Sequence, residues 1–298
     1  MRRHQALVAQ DGRLTSPARR RLDRALVDRG FADSRPGAVA LIERRLVLVS
    51  GTVAEKASRL VGRNEPIELL GPPARYVSRG GEKLAAALDR FAVDPRGRRA
   101  LDAGASTGGF TDCLLQAGAS TVYAVDVGRA QLHPRLVSDR RVIGCERTDI
   151  RDVTLATVGG APVDLVTADL SFISLRRAVP VLVGEAIAPR APLIVLVKPQ
   201  FEAGRAEASR GRGVIRDPAI HRRTLYEVAG ALGAAGADIM GAMPSPLTGA
   251  AGNTEFLLHA RTPAAPVGIR TVPRSDQAVV STRLDQALAE AAGTRPEE

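Results

Sequence analysis

The sequence predicts an α/β protein in which a Rossmann-like, doubly wound sheet fills most of the chain and a small α+β unit precedes it. Three observations predict this. The apolar run ending at Ala103 passes through a glycine-rich turn, Gly104-Ala105-Ser106-Thr107-Gly108-Gly109, into a helical pattern. Short apolar strands and helical stretches then alternate to about Thr262, which calls for a mostly parallel sheet with helices on both faces. Gly71-Pro72-Pro73 separates this region from a shorter one with a different order of elements.

Taken in order, residues 1–18 are polar and Arg-rich and read as a flexible basic arm. Residues 19–73 form the first domain. Leu22, Ala25, Leu26 and Phe31 recur at helical spacing with Gly30 as a stop, and Ser34 caps a second helix through Ile42. Leu46-Val47-Leu48-Val49 is strand-like and turns at Ser50-Gly51 into Thr52-Val53; Arg59-Leu60-Val61 and Ile67-Glu68-Leu69-Leu70 complete the unit. The second domain spans 74–262. Its first helix opens at Ser78-Arg79-Gly80-Gly81-Glu82-Lys83, with Leu84, Leu88 and Phe91 on one face. Strands are expected at 100–103, 121–126, 142–145, 163–168, 192–197, 237–243 and 255–261, and helices near 109–117, 175–187 and 219–235. The tail, 263–298, is broken by prolines until a short helical stretch at Ser281 to Leu288.

The glycine turn has a chemistry. Gly104, Gly108 and Gly109 let the backbone approach a ligand, and the helix that follows points free N–H groups into the same space. The run Val122-Tyr123-Ala124-Val125 ends in Asp126, where a carboxylate can take both hydroxyls of a ribose. Ser106 stands where a dinucleotide fingerprint requires glycine to admit a pyrophosphate. Asp102 adds a negative charge expected at the cofactor site, which repels a diphosphate and attracts the ammonium and sulfonium of S-adenosylmethionine.

Charged residues converge on the same edge. Asp169 ends the strand Val163 to Ala168 and Lys198 ends the strand Leu193 to Val197, so both lie at the carboxyl edge of the sheet. Glu255 begins the last strand and reaches that edge if the strand is antiparallel, and Lys83 can approach from the first helix. Methyl transfer to a ribose 2′-OH needs such a set, because the hydroxyl is a poor nucleophile until a base takes its proton. A lysine serves only in its neutral form, and neighbouring charges decide how readily it gives up its proton.

The segments Val77 to Leu84, Leu101 to Phe110, Ala168 to Leu175, Leu196 to Glu202 and Gly252 to Glu255 resemble the TlyA family of ribosomal RNA 2′-O-methyltransferases, which are FtsJ-like in the catalytic domain. The first unit, in Arg21-Leu22-Asp23, Ala38 to Ile42 and Val47 to Val53, resembles the S4-type RNA-binding domain that such enzymes carry. The resemblance implies a catalytic tetrad of Lys83, Asp169, Lys198 and Glu255, with Lys198 as proton acceptor. It implies S-adenosylmethionine as cofactor on Gly104 to Gly109, Asp126 for the ribose and Asp149 near the adenine. The substrate it implies is cytidine ribose in 23S rRNA, with 16S rRNA as a second candidate, presented as RNA or ribosomal subunits. Two departures stand out: the linker motif Arg-x-Trp-Val reads Arg75-Tyr76-Val77 after Ala74, and Asp149 replaces the Asn of some relatives.

Composition narrows the alternatives. The net charge of +10, supplied mostly by arginine, suits an RNA partner, and Arg19, Arg20, Arg21, Arg24, Arg44 and Arg45 are the expected contacts. Aromatics are only 3% of the chain, so stacking on exposed rings is not expected to be the main mode of binding. No apolar run is long enough to span a bilayer, which points to a cytoplasmic protein and away from a membrane-lytic haemolysin. Cys113 and Cys145 read as plain thiols, and the scattered His133, His221 and His259 offer no metal site. A non-catalytic RNA-binding or ribosome-assembly factor is the remaining alternative. The Gly- and Arg-rich segment Glu202 to Asp217 could serve as a lid over RNA or as a plain solvated loop. Oligomeric state is not legible.

Overall fold

The computed structural model describes residues 19–32, 34–70, 74–249, 251–264 and 276–293. The basic arm, the Gly71-Pro72-Pro73 linker and residues 265–275 of the tail lie outside the described residues. Contacts divide the chain into two units, Met1–Pro73 and Ala74–Glu298.

In the first unit, strand β1 (Arg20–Arg21) leads into helices α1 (Leu22–Asp28) and α2 (Arg35–Glu43), followed by strands β2 (Val47–Val49), β3 (Thr52–Val53), β4 (Leu60–Val61) and β5 (Ile67–Leu69). Ser34 caps α2 by accepting from Gly37 N at 3.2 Å. β2 pairs antiparallel with β3 and β5, and β1 pairs with β4. Leu22, Leu26, Ala38, Ile42, Val47 and Val49 close a core of their own. Asp23 is buried there, held by Arg21 and Arg35, whose charges keep its carboxyl well below the usual range.

The second unit runs α3 (Gly80–Arg90), β6 (Arg99–Ala103), α4 (Gly109–Gln116), β7 (Thr121–Val125), α5 (Pro134–Val137), β8 (Val142–Cys145), a 3-10 turn (Ile150–Asp152), β9 (Leu165–Ala168), α6 (Leu175–Leu182), β10 (Pro192–Val197), α7 (Pro199–Glu202), α8 (Arg205–Arg210), α9 (Pro218–Ala234), β11 (Asp238–Pro244), β12 (Phe256–Arg261) and α10 (Gln277–Gly293). Among the described residues these strands form one seven-stranded sheet in the order β11-β12-β10-β9-β6-β7-β8. All neighbours from β10 through β9, β6 and β7 to β8 are parallel, and β12 alone is reversed, between β10 and β11.

The two faces of the sheet build two cores, as the period of two along a strand requires. Leu193, Val195 and Val197 of β10 pack with α6, α9 and α10, whereas Ile194 and Leu196 pack with α3 and α4. α6 is shorter than the expected 175–187: it ends at Leu182, with Val183 as its cap and Gly184 next. The tail helix is longer than expected, because Leu284 and Ala287 bury against the sheet and draw the flanking turns into register.

Candidate active site

Strand order places the charges. β9 and β10 are parallel neighbours, with Val195 opposite Ala168, so Asp169 and Lys198 emerge from the same edge. β12 runs the other way, with Val197 opposite Phe256, which sets Glu255 beside the Lys198 position. The four charges form two short pairs: Lys83 Nζ donates to Glu255 Oε2 at 2.5 Å, and Lys198 Nζ lies 2.5 Å from Asp169 Oδ1. Lys198 also donates to Ser171 Oγ at 3.0 Å. Lys83 and Glu255 are buried, and Lys83, Asp169 and Lys198 line one small cavity of about 190 Å3 with Ser78 and Phe110.

A larger cleft of about 500 Å3 adjoins it and shares Gly104, Ser106, Asp169 and Ser171 with it. Asp126, Asp149, Ile150 and Val127 line its far side. The glycine loop makes the opening: Gly104 has φ +81°, and a Cβ there would lie 2.5 Å from the Asp169 carbonyl oxygen. Gly108, at φ +95°, starts α4 where a Cβ would collide with Leu136. Asp126 accepts one backbone N–H on each oxygen, from Ser106 at 2.8 Å and Gly128 at 2.7 Å, which leaves lone pairs on both for a diol. Asp149 caps the 3-10 turn and pairs with Arg151 at 2.6 Å; that contact holds its carboxyl at about 2, so it is an ionised acceptor for an amino group. A cleft lined by one carboxylate with room for a diol, Asp126, and a second ionised carboxylate, Asp149, with no arginine in the glycine loop, fits S-adenosylmethionine.

Asp102 is a correction. Its side chain is fully buried, accepts from Thr111 Oγ1 at 2.6 Å and Thr167 Oγ1 at 3.1 Å, and lines neither cavity. Burial pushes its carboxyl up to about 7, so it does not place a full charge at the cofactor site; it ties β6 to β9 and α4. Among the expected RNA contacts, Arg20, Arg21 and Arg45 are held by Asp28, Asp23 and Glu55. Arg19, Arg24 and Arg44 are exposed, and neither Arg24 nor Arg44 has an ion-pair partner among the described residues. The altered linker is stitched to α4: Val77 N donates to Asp112 Oδ2 at 2.8 Å and Gln116 Nε2 to the Arg75 carbonyl at 2.9 Å.

The fold also shows residues that the spacing of charges did not single out. Three cross-links join the loop after β9 to the turn after β10: Lys198 to Asp169 and Ser171, Phe201 to Phe172 with ring centroids 5.3 Å apart, and Glu202 to Ser174 Oγ at 2.5 Å and Leu175 N at 2.7 Å. Glu202 is buried and its carboxyl is pushed up by burial. Phe172 is 93% exposed at φ +66°, an uncommon backbone for an aromatic residue, in the same loop as Asp169 and Ser171. An aromatic residue three positions after a charged strand end was the available signal, and the low aromatic content of the chain hid it.

Fold and site together define an S-adenosylmethionine-dependent methyltransferase. Residues 76–262 match the family described as FtsJ-like methyltransferase, and residues 20–67 match the S4 domain. The chain is 45% identical over 245 residues to a Mycobacterium tuberculosis protein named 16S/23S rRNA (cytidine-2′-O)-methyltransferase TlyA, covering 82% of this chain and 90% of that one. It is 43% identical over 243 residues to YqxC of Bacillus subtilis, whose name carries rRNA methyltransferase as a provisional activity, covering 82% and 86%. A solved structure from Streptococcus thermophilus that bears a haemolysin name superposes with a TM-score of 0.74 at 33% identity, covering 94% of this chain and 97% of that one. The chain belongs to the FtsJ-like methyltransferase family and, within it, to the TlyA group that carries an S4 domain. Among the described residues no helix is long and apolar enough to cross a membrane.

Proposed function

We propose that the protein transfers a methyl group from S-adenosylmethionine to the 2′-OH of cytidine in ribosomal RNA, 23S and also 16S, and works on ribosomal subunits in the cytoplasm. The observation that carries this is the small cavity lined by Lys83, Asp169 and Lys198, which opens onto the cofactor cleft through Gly104 and Ser171. The cavity takes a small polar group, not a whole base, and it presents a lysine where a nucleophile would enter. S-adenosylmethionine, held by the glycine loop, Asp126 and Asp149, supplies an electrophilic methyl group on a sulfonium.

Lys198, in its neutral form, takes the hydroxyl proton, and Asp169 accepts a hydrogen bond from the ammonium that results. Lys83 and Glu255, mutually paired, hold the ribose at its other side and keep the pocket's charge balanced. Alignment of this kind supplies roughly 7–11 kcal/mol of barrier reduction, and a positioned base a further 10²–10⁴ in rate. Phe172 offers a ring face to the base of the same nucleotide, and the S4 unit holds the RNA through Arg19, Arg24 and Arg44, with Arg20, Arg21 and Arg45 beside them. Mapping ribose methylation in rRNA from cells with and without the gene tests the proposal. It expects 2′-O-methylcytidine to vanish at discrete positions on deletion, and an unchanged rRNA methylation map would overturn it.

A further inference from the structure

Lys198 and Glu255 stand at the ends of neighbouring strands, and the chain that leaves Lys198 through α7 returns to the Glu255 side before α9 begins. The segment between, residues 203–217, is anchored at three points. Glu207 accepts from Arg223 of α9 at 2.5 and 3.0 Å. Buried Asn253, two positions before Glu255, accepts from Ile215 N at 2.8 Å and donates to the Gly213 carbonyl at 2.9 Å. The His221 ring meets the Ile215 carbonyl at 3.0 Å. Pinned at Glu207, Gly213 and Ile215, the segment is a strap tied to α9 and to the loop that leads into Glu255.

The strap carries Arg210 and Arg212, both exposed and without an ion-pair partner among the described residues. The neighbouring carboxylates are engaged elsewhere: Glu202 on Ser174 and Leu175, Glu207 on Arg223, and Asp217 as the cap of α9. Arg212 sits at φ +50° between Gly211 and Gly213, in the turn that follows α8. Two exposed guanidiniums two positions apart, without an ion-pair partner among the described residues and on a segment tied to the strand end that carries Glu255, suit the oxygens of phosphodiesters, which a guanidinium can take in pairs.

We infer that Arg210 and Arg212 form a backbone-binding surface for the rRNA strand that flanks the modified nucleotide. This rests on the rRNA reading of the site. The strap grips phosphates on the side of the tetrad that carries Glu255, and so fixes the path of the strand across the cavity; it reads no sequence.

The test compares the full chain with Arg210→Gln/Arg212→Gln and Arg210→Lys/Arg212→Lys in equilibrium binding to ribosomal subunits from a strain lacking the gene, across a series of KCl concentrations, with S-adenosylmethionine affinity and thermal stability measured alongside. For the glutamine pair the inference expects binding about tenfold weaker at low salt and a salt slope shallower by about 1.5, with cofactor affinity and melting temperature unchanged. The lysine pair should recover most of the slope. A parent that binds and methylates rRNA, with a glutamine pair that keeps both its affinity and its slope, overturns the surface alone. A parent that does neither overturns the rRNA reading and this inference with it.

Discussion

Asp102 shows how one buried carboxyl sets a pH dependence. Its folded-state pKa, raised to about 7 by burial against an ordinary value of 3.8, means that its contribution to stability is complete below about pH 3.8 and is lost as pH rises through 7. His259 works in the opposite direction: burial lowers it to about 4 from 6.5, so its contribution is present above 6.5 and lost as pH falls through 4. The two oppose each other between pH 4 and 6.5, so the parent's curve alone does not separate them. Asp102→Asn does. The unfolding free energy of the variant relative to the parent should rise between about pH 4 and pH 7 and level off above, by an amount on the order of a few kcal/mol at most. A difference that stays flat with pH would show that Asp102 is not the titrating group. At the same scale, Glu202 is a positioning residue. Glu202→Ala should lower single-turnover methylation by about 10- to 100-fold with S-adenosylmethionine affinity unchanged, whereas Glu202→Gln, which still accepts from Leu175 N, should recover much of the rate. Equal rates for all three chains would show that the link to α6 is structural only.

At the scale of elements, the tail helix α10 is part of the catalytic unit's core. Leu284 and Ala287 are buried, and Arg283 donates to the Ile239 carbonyl of β11 at 2.7 Å. Leu284→Ala should therefore cost about 2–5 kcal/mol in denaturant unfolding, while a change within ±0.5 kcal/mol would place the helix outside the cooperative core. The central strands β9 and β10 were legible because they read as apolar runs; Val166 and Leu193 to Val197, buried on both faces, leave no other element that suits them, whereas β1, two arginines long, carries no such signal. Asp169 and Lys198 were legible for the same reason, as the first charges after such runs. The side on which Asp102 falls was not. A strand alternates its faces, but which face meets the ligand depends on the neighbours β9 and α4, and these are set by tertiary structure. The cross-links of Ser171, Phe172 and Glu202 were hidden too, since they join loops whose proximity follows from strand order. Short helices such as α7 and α8 hold too few residues for a periodic signal.

At the scale of the molecule, the holding of RNA falls to the S4 unit and the methyl transfer to the second unit under the proposed function. A chain beginning at Ala74 and retaining α10 keeps the glycine loop, Asp126 and the tetrad, so it should bind S-adenosylmethionine as the full chain does and yet lose productive methylation of rRNA. Full rRNA activity in that shortened chain would remove the S4 unit from substrate recognition. The central claim concerns the proton. Lys198 sits 2.5 Å from Asp169 in the lining of the small cavity, and Lys198→Arg keeps charge and reach while abolishing the capacity to accept a proton at working pH. The most direct measurement is single-turnover methylation of rRNA by this variant, with binding of cofactor and RNA followed in parallel. Near-parental binding and a rate lower by about two to four orders of magnitude are expected if Lys198 takes the proton; a rate within a few fold of the parent would move the base to another group.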